Sequence, residues 1–218
     1  MGRGAGGWKA TFVFGAAIFL FFSALLYLRR LDYNLFIVNK AVASAAVFLI
    51  GSSYVLGPLA HFWPKFWVPK LSARKYLGLL GFAIASLHMV LSLVMLSPAY
   101  YPKLFDASGK LTGAGEISLL SAAFAMVLFS VVAVTSLPDV ERSMKRSSWE
   151  IVQRIGYIAF FLVAAHVYII KWHGWFEESN WMNGLPPGSL IVFLFIVFVF
   201  VLRLLAAVTP ERKKGAKR

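Results

Sequence analysis

No cysteine occurs among the 218 residues. That excludes a disulfide framework, a Cys-ligated zinc or iron–sulfur cluster, and a thiol nucleophile. Acidic residues are scarce as well, nine against 22 lysines and arginines. Charge of either sign is thin, at 14% of residues where soluble domains carry about 25%. A formal charge of +13 could serve nucleic acid, but the basic residues lie in short clusters between long apolar runs. Nucleic-acid binding is therefore excluded as the leading reading. What the chain does have is apolar length: 60% of its residues are hydrophobic. The pattern is that of an all-α integral membrane protein.

A membrane-crossing helix needs about 20 predominantly apolar residues. Six segments meet that need, at about 10–28, 37–60, 76–97, 117–136, 150–171 and 188–207. They predict a six-transmembrane-helix bundle forming a single membrane domain over 1–218, with a basic tail at 208–218. The first apolar run is too long for a signal peptide and no small-residue cleavage site follows it, so it reads as a retained span. No Gly-x-Gly-x-x-Gly unit or flavin domain is expected after the last span. With the N-terminus inside, one face collects Arg3, Lys9, Lys65, Lys70, Arg74, Lys75, Arg142, Lys145, Arg146, Arg154, Arg203, Arg212, Lys213, Lys214, Lys217 and Arg218. These are 16 of the 22 basic residues. The rule that cytoplasmic flanks carry the excess of Lys and Arg then predicts both termini cytoplasmic. Tyr100, Tyr101, Trp172, Trp175 and Trp181 fall in the opposite loops, as an interfacial aromatic belt would.

Ionisable groups deep in a bilayer are costly and mark function. Arg154 and Arg203 lie near span ends and can snorkel to the headgroups. Tyrosines aside, two ionisable side chains lie deep: His88 in the third span and His166 in the fifth. His61 and His173 fall at span ends. His88 is about 12 residues from the inner end of its helix and His166 about 16, roughly 18 and 24 Å at 1.5 Å per residue. Both helices run from inside to outside, so the imidazoles can meet in the outer half of the membrane. Two neutral imidazoles on different helices at matched depth are what a b-type haem needs for its axial positions. Both lie on strips rich in small residues, which a flat cofactor requires: Gly81, Ala85 and Ser92 around His88, and Gly156, Ala159 and Val163 before His166. Ordinary helix packing uses small residues too. Zinc would want a third ligand, and a proton relay would want a deep carboxylate; the sequence offers neither.

The run Arg74-Lys75-Tyr76-Leu77-Gly78-Leu79, with His88 ten residues after Gly78, resembles the third helix of the ferric-reductase-like transmembrane family. Within that family the pattern is nearest the haem-binding membrane subunit of the bacterial methionine-sulfoxide reductase system. Ala133-Val134-Thr135-Ser136, the basic loop Arg142 to Arg146, Trp149, Tyr157, His166 and Lys171 continue the resemblance, which spans roughly 74–171. It implies that His88 and His166 are axial ligands of haem iron, with Gly81, Ala85 and Ala159 packing on the haem. The family usually has a second histidine thirteen residues before the one matching His166, where this chain has Gln153. The matching positions on the third helix are Lys75 or Arg74. One haem b per chain is therefore expected, without the inner second haem. His61 reads as an interfacial histidine.

The resemblance implies transmembrane electron transfer in a multi-pass plasma membrane protein, in a prokaryotic setting. The donor would be a cytoplasmic flavin reductase, an FMN-type flavin or a quinol of the quinone pool. The acceptor would be a periplasmic reductase subunit. Two alternatives stand beside this. One is a self-contained ferric or other small-oxidant reductase at the outer haem. The other is a non-haem transport or assembly module in the lipid bilayer.

Overall fold

The computed structural model describes residues 2–209, with side chains from Gly6 onward. The side chain of Arg3 and the basic tail from Pro210 lie outside the described residues. Six long helices make the fold: α1 Gly2–Arg30, α2 Leu35–Phe62, α3 Ala73–Val94, α4 Gly113–Thr135, α5 Arg146–Trp175 and α6 Gly188–Val208. Each is long and apolar enough to cross a membrane. The chain is an all-α six-helix bundle and a multi-pass membrane protein.

Local chemistry sets the helix ends. Asn34 opens α2 by accepting a hydrogen bond from the Ile37 amide at 3.1 Å, and Thr112 opens α4 by accepting from Gly115 N at 3.0 Å. Such caps satisfy amide groups that have no partner within the helix. The third span was expected to reach residue 97. Instead α3 stops at Val94, where the chain turns towards Pro98. The α3–α4 loop closes on Asp106, whose Oδ1 accepts from Ser108 N at 2.8 Å, Ser108 Oγ at 2.7 Å and Lys110 N at 3.0 Å.

Helix α2 is the axis of the bundle. It is 56% buried over its apolar window, against 17–28% for the other five. It packs on α1, α3 and α6, while α4 pairs with α5. Small residues allow this: Ala41, Ala45 and Ala46 are buried, and Gly51 receives the rings of Phe160 and Phe195. The outer faces stay apolar, with Phe12, Phe21, Leu93, Phe161 and Leu204 exposed as lipid-facing positions require. Helix hydroxyls turn inward on their own backbone, as Ser86 does to Phe82 O at 3.0 Å and Ser130 to Met126 O at 2.8 Å.

The two ends of the bundle differ. At the end where α1 begins and α6 finishes, His61 Nε2 meets Thr209 O at 3.0 Å and Lys75 pairs with Glu141 at 2.7 Å. At the far end, Arg29 donates to the Asn180 carbonyl and Trp175 Nε1 donates to Ser189 Oγ at 3.0 Å.

Candidate functional site

Helices α3 and α5 make no extended contact with each other among the described residues. Between them lies a cavity of about 960 Å³, and both His88 and His166 line it. The structure thus brings together the two deep histidines and leaves the other two apart. His61 sits at the end carrying the termini, and His173 lies exposed against Trp172 with ring centres 3.6 Å apart.

Each imidazole is oriented by a partner on a neighbouring helix. His88 Nδ1 lies 2.9 Å from Asn39 Oδ1 on α2. An amide oxygen can only accept, so Nδ1 carries the proton and donates it. Asn39 is held in turn, its Nδ2 donating to Ser92 Oγ at 2.9 Å and to Tyr101 Oη at 3.2 Å. His166 Nδ1 lies 3.0 Å from the Ser118 carbonyl on α4, which again fixes the proton on Nδ1. The Ser118 hydroxyl answers by donating to the His166 carbonyl at 3.0 Å. Asn39 is 1% exposed and Ser118 fully buried, so these bonds do not compete with solvent. With the proton on Nδ1, each Nε2 keeps a free lone pair, and among the described residues neither makes a hydrogen bond.

The walls are smooth and small where a flat ligand would need them. Ala43 and Ala46 of α2 and Ala122, Ala123 and Ala125 of α4 line the cavity, with Ala85, Ser92 and Val163 beside the histidines. Gly81 and Ala159, expected against a cofactor, do not line it. Gly81 faces α2 instead, where a Cβ would lie 2.6 Å from Ile50 Cγ1 and 3.0 Å from Ile50 N. Ala159 is fully buried in the core. Gly156 receives the Tyr54 hydroxyl. The alanines that do line the cavity stand on α2 and α4, in the runs Ala41–Val47 and Ser121–Ala125, which sequence reasoning passed over. Asn39 was passed over too, although it is the one asparagine inside an apolar run.

These observations fit a haem. Two imidazoles face one cavity with their Nδ1 protons already committed, and the cavity is apolar over most of its wall. The donor set comprises two neutral nitrogens without a carboxylate or thiolate, which suits an iron porphyrin better than a bare hard cation. Among the described residues no group of three or more His, Cys, Asp or Glu could hold a metal ion.

At the inner positions, where a second haem would stand in the related pattern, the described side chains are engaged with one another. Gln153 turns to α4 and donates to Ser136 Oγ at 3.1 Å. Tyr54 packs at a tilt against Tyr157 with ring centres 4.5 Å apart and edge-on to Phe160 at 5.5 Å. Arg74 Nε donates to Ser53 O at 3.1 Å. Before α5, Arg142 pairs with Asp139 at 3.8 Å, and in its first turn Arg146 pairs with Glu150 at 3.0 Å, both on an exposed surface.

No protein-family model matches the chain. It is similar to the rat protein Metalloreductase STEAP3, 26% identical over 229 residues, which cover 86% of this chain and 46% of the rat protein. It is likewise 26% identical to human Metalloreductase STEAP2 over 181 residues, 71% of this chain and 37% of the human protein. Mouse Metalloreductase STEAP2 is also 26% identical, over 84% of this chain and 42% of that protein. The chain thus spans less than half the length of the curated relatives it matches.

Proposed function

We propose that this chain is a haem b-binding transmembrane electron-transfer protein, with His88 and His166 as the two axial ligands of a single haem. The observation that carries the reading is the pair of deep histidines lining one cavity, each held through Nδ1 so that Nε2 keeps its lone pair. Orienting bonds of this kind set the tautomer and raise ligand basicity. When bound, haem supplies a one-electron iron couple. His88 of α3 and His166 of α5 would hold the haem, while the alanine walls of α2 and α4 exclude water and the lipid-facing helices insulate the site. Electrons enter from the end bearing the termini, by way of a flavin or a quinol. They leave at the far end.

For the acceptor, similarity to proteins named metalloreductases favours an oxidised metal ion or its chelate outside the membrane. The motif pattern around 74–171 favours a separate periplasmic reductase that takes the electrons instead. A reconstitution experiment decides between them. Purified protein in vesicles is reduced from the side of the termini, and a ferric chelate is added to the other side. Reoxidation of the haem band within seconds supports direct metal reduction. A band that stays reduced until a partner reductase is supplied supports the subunit role. Absence of any haem band removes both.

A further inference from the structure

The far end of the cavity carries charge that the histidine site does not use. Arg29, Arg30, Lys40, Lys103 and Lys171 line it, and the one carboxylate among the lining residues is Glu116. Three ion pairs occur among the described residues, and none involves these five cations. Lys40 and Lys171 are half-buried, and Lys40 Nζ rests 3.8 Å over the Phe36 ring. Arg29 donates from Nη2 to the Asn180 carbonyl, yet its buried Nε has no partner. Arg30 and Lys103 stand on the exposed rim. Lys40 is close enough to Lys171, Arg29 and Arg30 to feel their charges.

Clustered cations at the edge of a membrane, without counter-ions, repel one another and are poorly solvated. Such an arrangement is stable when an anion completes it. The cluster also lies in a defined direction from the histidines. Lys171 follows His166 by five residues on α5, about 7.5 Å along the helix. Lys40 follows Asn39, the residue that orients His88. The cations therefore line the same cavity as the two histidines, on the side of the far end.

We propose that Arg29, Lys40 and Lys171 form the carboxylate clasp of this site and bind the two propionates of the haem, which fixes the haem with its acidic edge towards the far end. This rests on the haem reading above and adds to it which edge of the ring is held and by which residues. The free Arg29 Nε is a donor awaiting an acceptor, and the lysines supply charge-assisted bonds from two other helices.

The test measures retention of haem by purified, haem-loaded protein in detergent, with excess apomyoglobin as the acceptor. Lys40→Met, Lys171→Met and the double variant are compared with wild type, and Lys110→Met in the exposed loop is the control. The double variant should lose haem at least about tenfold faster, since each charge-assisted bond is among the stronger kinds, while its bis-imidazole spectrum is unchanged. Lys110→Met should match wild type. A second arm needs no variant. Wild-type protein stripped and reloaded with iron protoporphyrin dimethyl ester should release it at least about tenfold faster than haem. Equal retention of ester and acid, with neutral variants, would overturn the clasp and leave the histidine ligation standing. Unchanged retention together with slower reoxidation by an anionic ferric chelate would assign the cations to an external acceptor, and would also overturn it. Wild-type protein with no haem band would instead refute the haem reading on which the clasp depends.

Discussion

A neutral imidazole offers a lone pair to a metal from one nitrogen while the other carries the proton. Asn39 and Ser118 decide which is which. Asn39 Oδ1 and the Ser118 carbonyl each accept a hydrogen bond from Nδ1–H, at 2.9 and 3.0 Å. Ser118 holds Nδ1 through its carbonyl as well as its hydroxyl oxygen, at 3.0 and 2.9 Å, and the carbonyl contact survives substitution, whereas the Asn39 bond does not. Asn39→Leu should therefore weaken haem binding by about 10- to 100-fold, the usual effect of losing such an orienting partner. Retention against apomyoglobin measures it, and wild-type retention in Asn39→Leu would show that the α2 contact is dispensable. The histidines themselves were legible from sequence because nothing else ionisable, tyrosine apart, competes with them at that depth. Asn39 was not, because its importance depends on α2 packing beside α3, a tertiary fact that no local pattern encodes.

At the scale of helices, α2 and α3 approach most tightly at Gly81 among the glycines of their interface. A methyl group at Gly81 would meet Ile50 at 2.6 Å and its backbone nitrogen at 3.0 Å, whereas one at Gly78 would meet Ser53 Oγ at an ordinary 3.8 Å. Gly81→Ala should lower the melting temperature in detergent, at a cost of about 1–3 kcal/mol from overpacking. Gly78→Ala should be neutral or slightly stabilising, because alanine loses less backbone freedom in a helix. Equal melting of the two variants would mean that α2 and α3 can slide apart cheaply. Gly81 was read from sequence as lying against a cofactor, since a small residue on the strip of His88 serves either purpose. Seven residues before His88 it lies about 10.5 Å further along that same strip, and there the strip meets Ile50 of α2.

The inner half of α5 bears on stoichiometry. Gln153 is spent on α4, Lys75 on Glu141, and the ring of Tyr54 stands against Gly156. A second porphyrin would have to displace this packing, and the histidine at that end, His61, is engaged with Thr209 O. One haem per chain is the expected ratio of extracted haem to protein. A ratio near two would require ligands outside this arrangement and would make His61 the first residue to examine.

For the molecule as a whole, the six spans were legible because apolar length is a one-dimensional signal that a membrane enforces. Helix ends were less so. α3 ends earlier and α5 extends further at both ends than the apolar runs alone, because capping and polar contacts past the hydrocarbon edge prolong or stop a helix. The excess of Lys and Arg on the side of the termini predicts their orientation. A reporter fused after Arg218 should be cytoplasmic, and one inserted at Ser108 in the α3–α4 loop should be accessible from outside. The opposite result would reverse the direction of electron flow.

The most direct measurement is the reduced-minus-oxidised visible spectrum, with low-spin paramagnetic resonance, of purified wild type beside four single variants. Ligation by both deep histidines predicts a low-spin bis-imidazole haem in the wild type, in His61→Ala and in His173→Ala. It predicts loss of that signal in both His88→Ala and His166→Ala, since either leaves an axial position vacant. A normal low-spin spectrum in His166→Ala, or a wild type without haem, would contradict it.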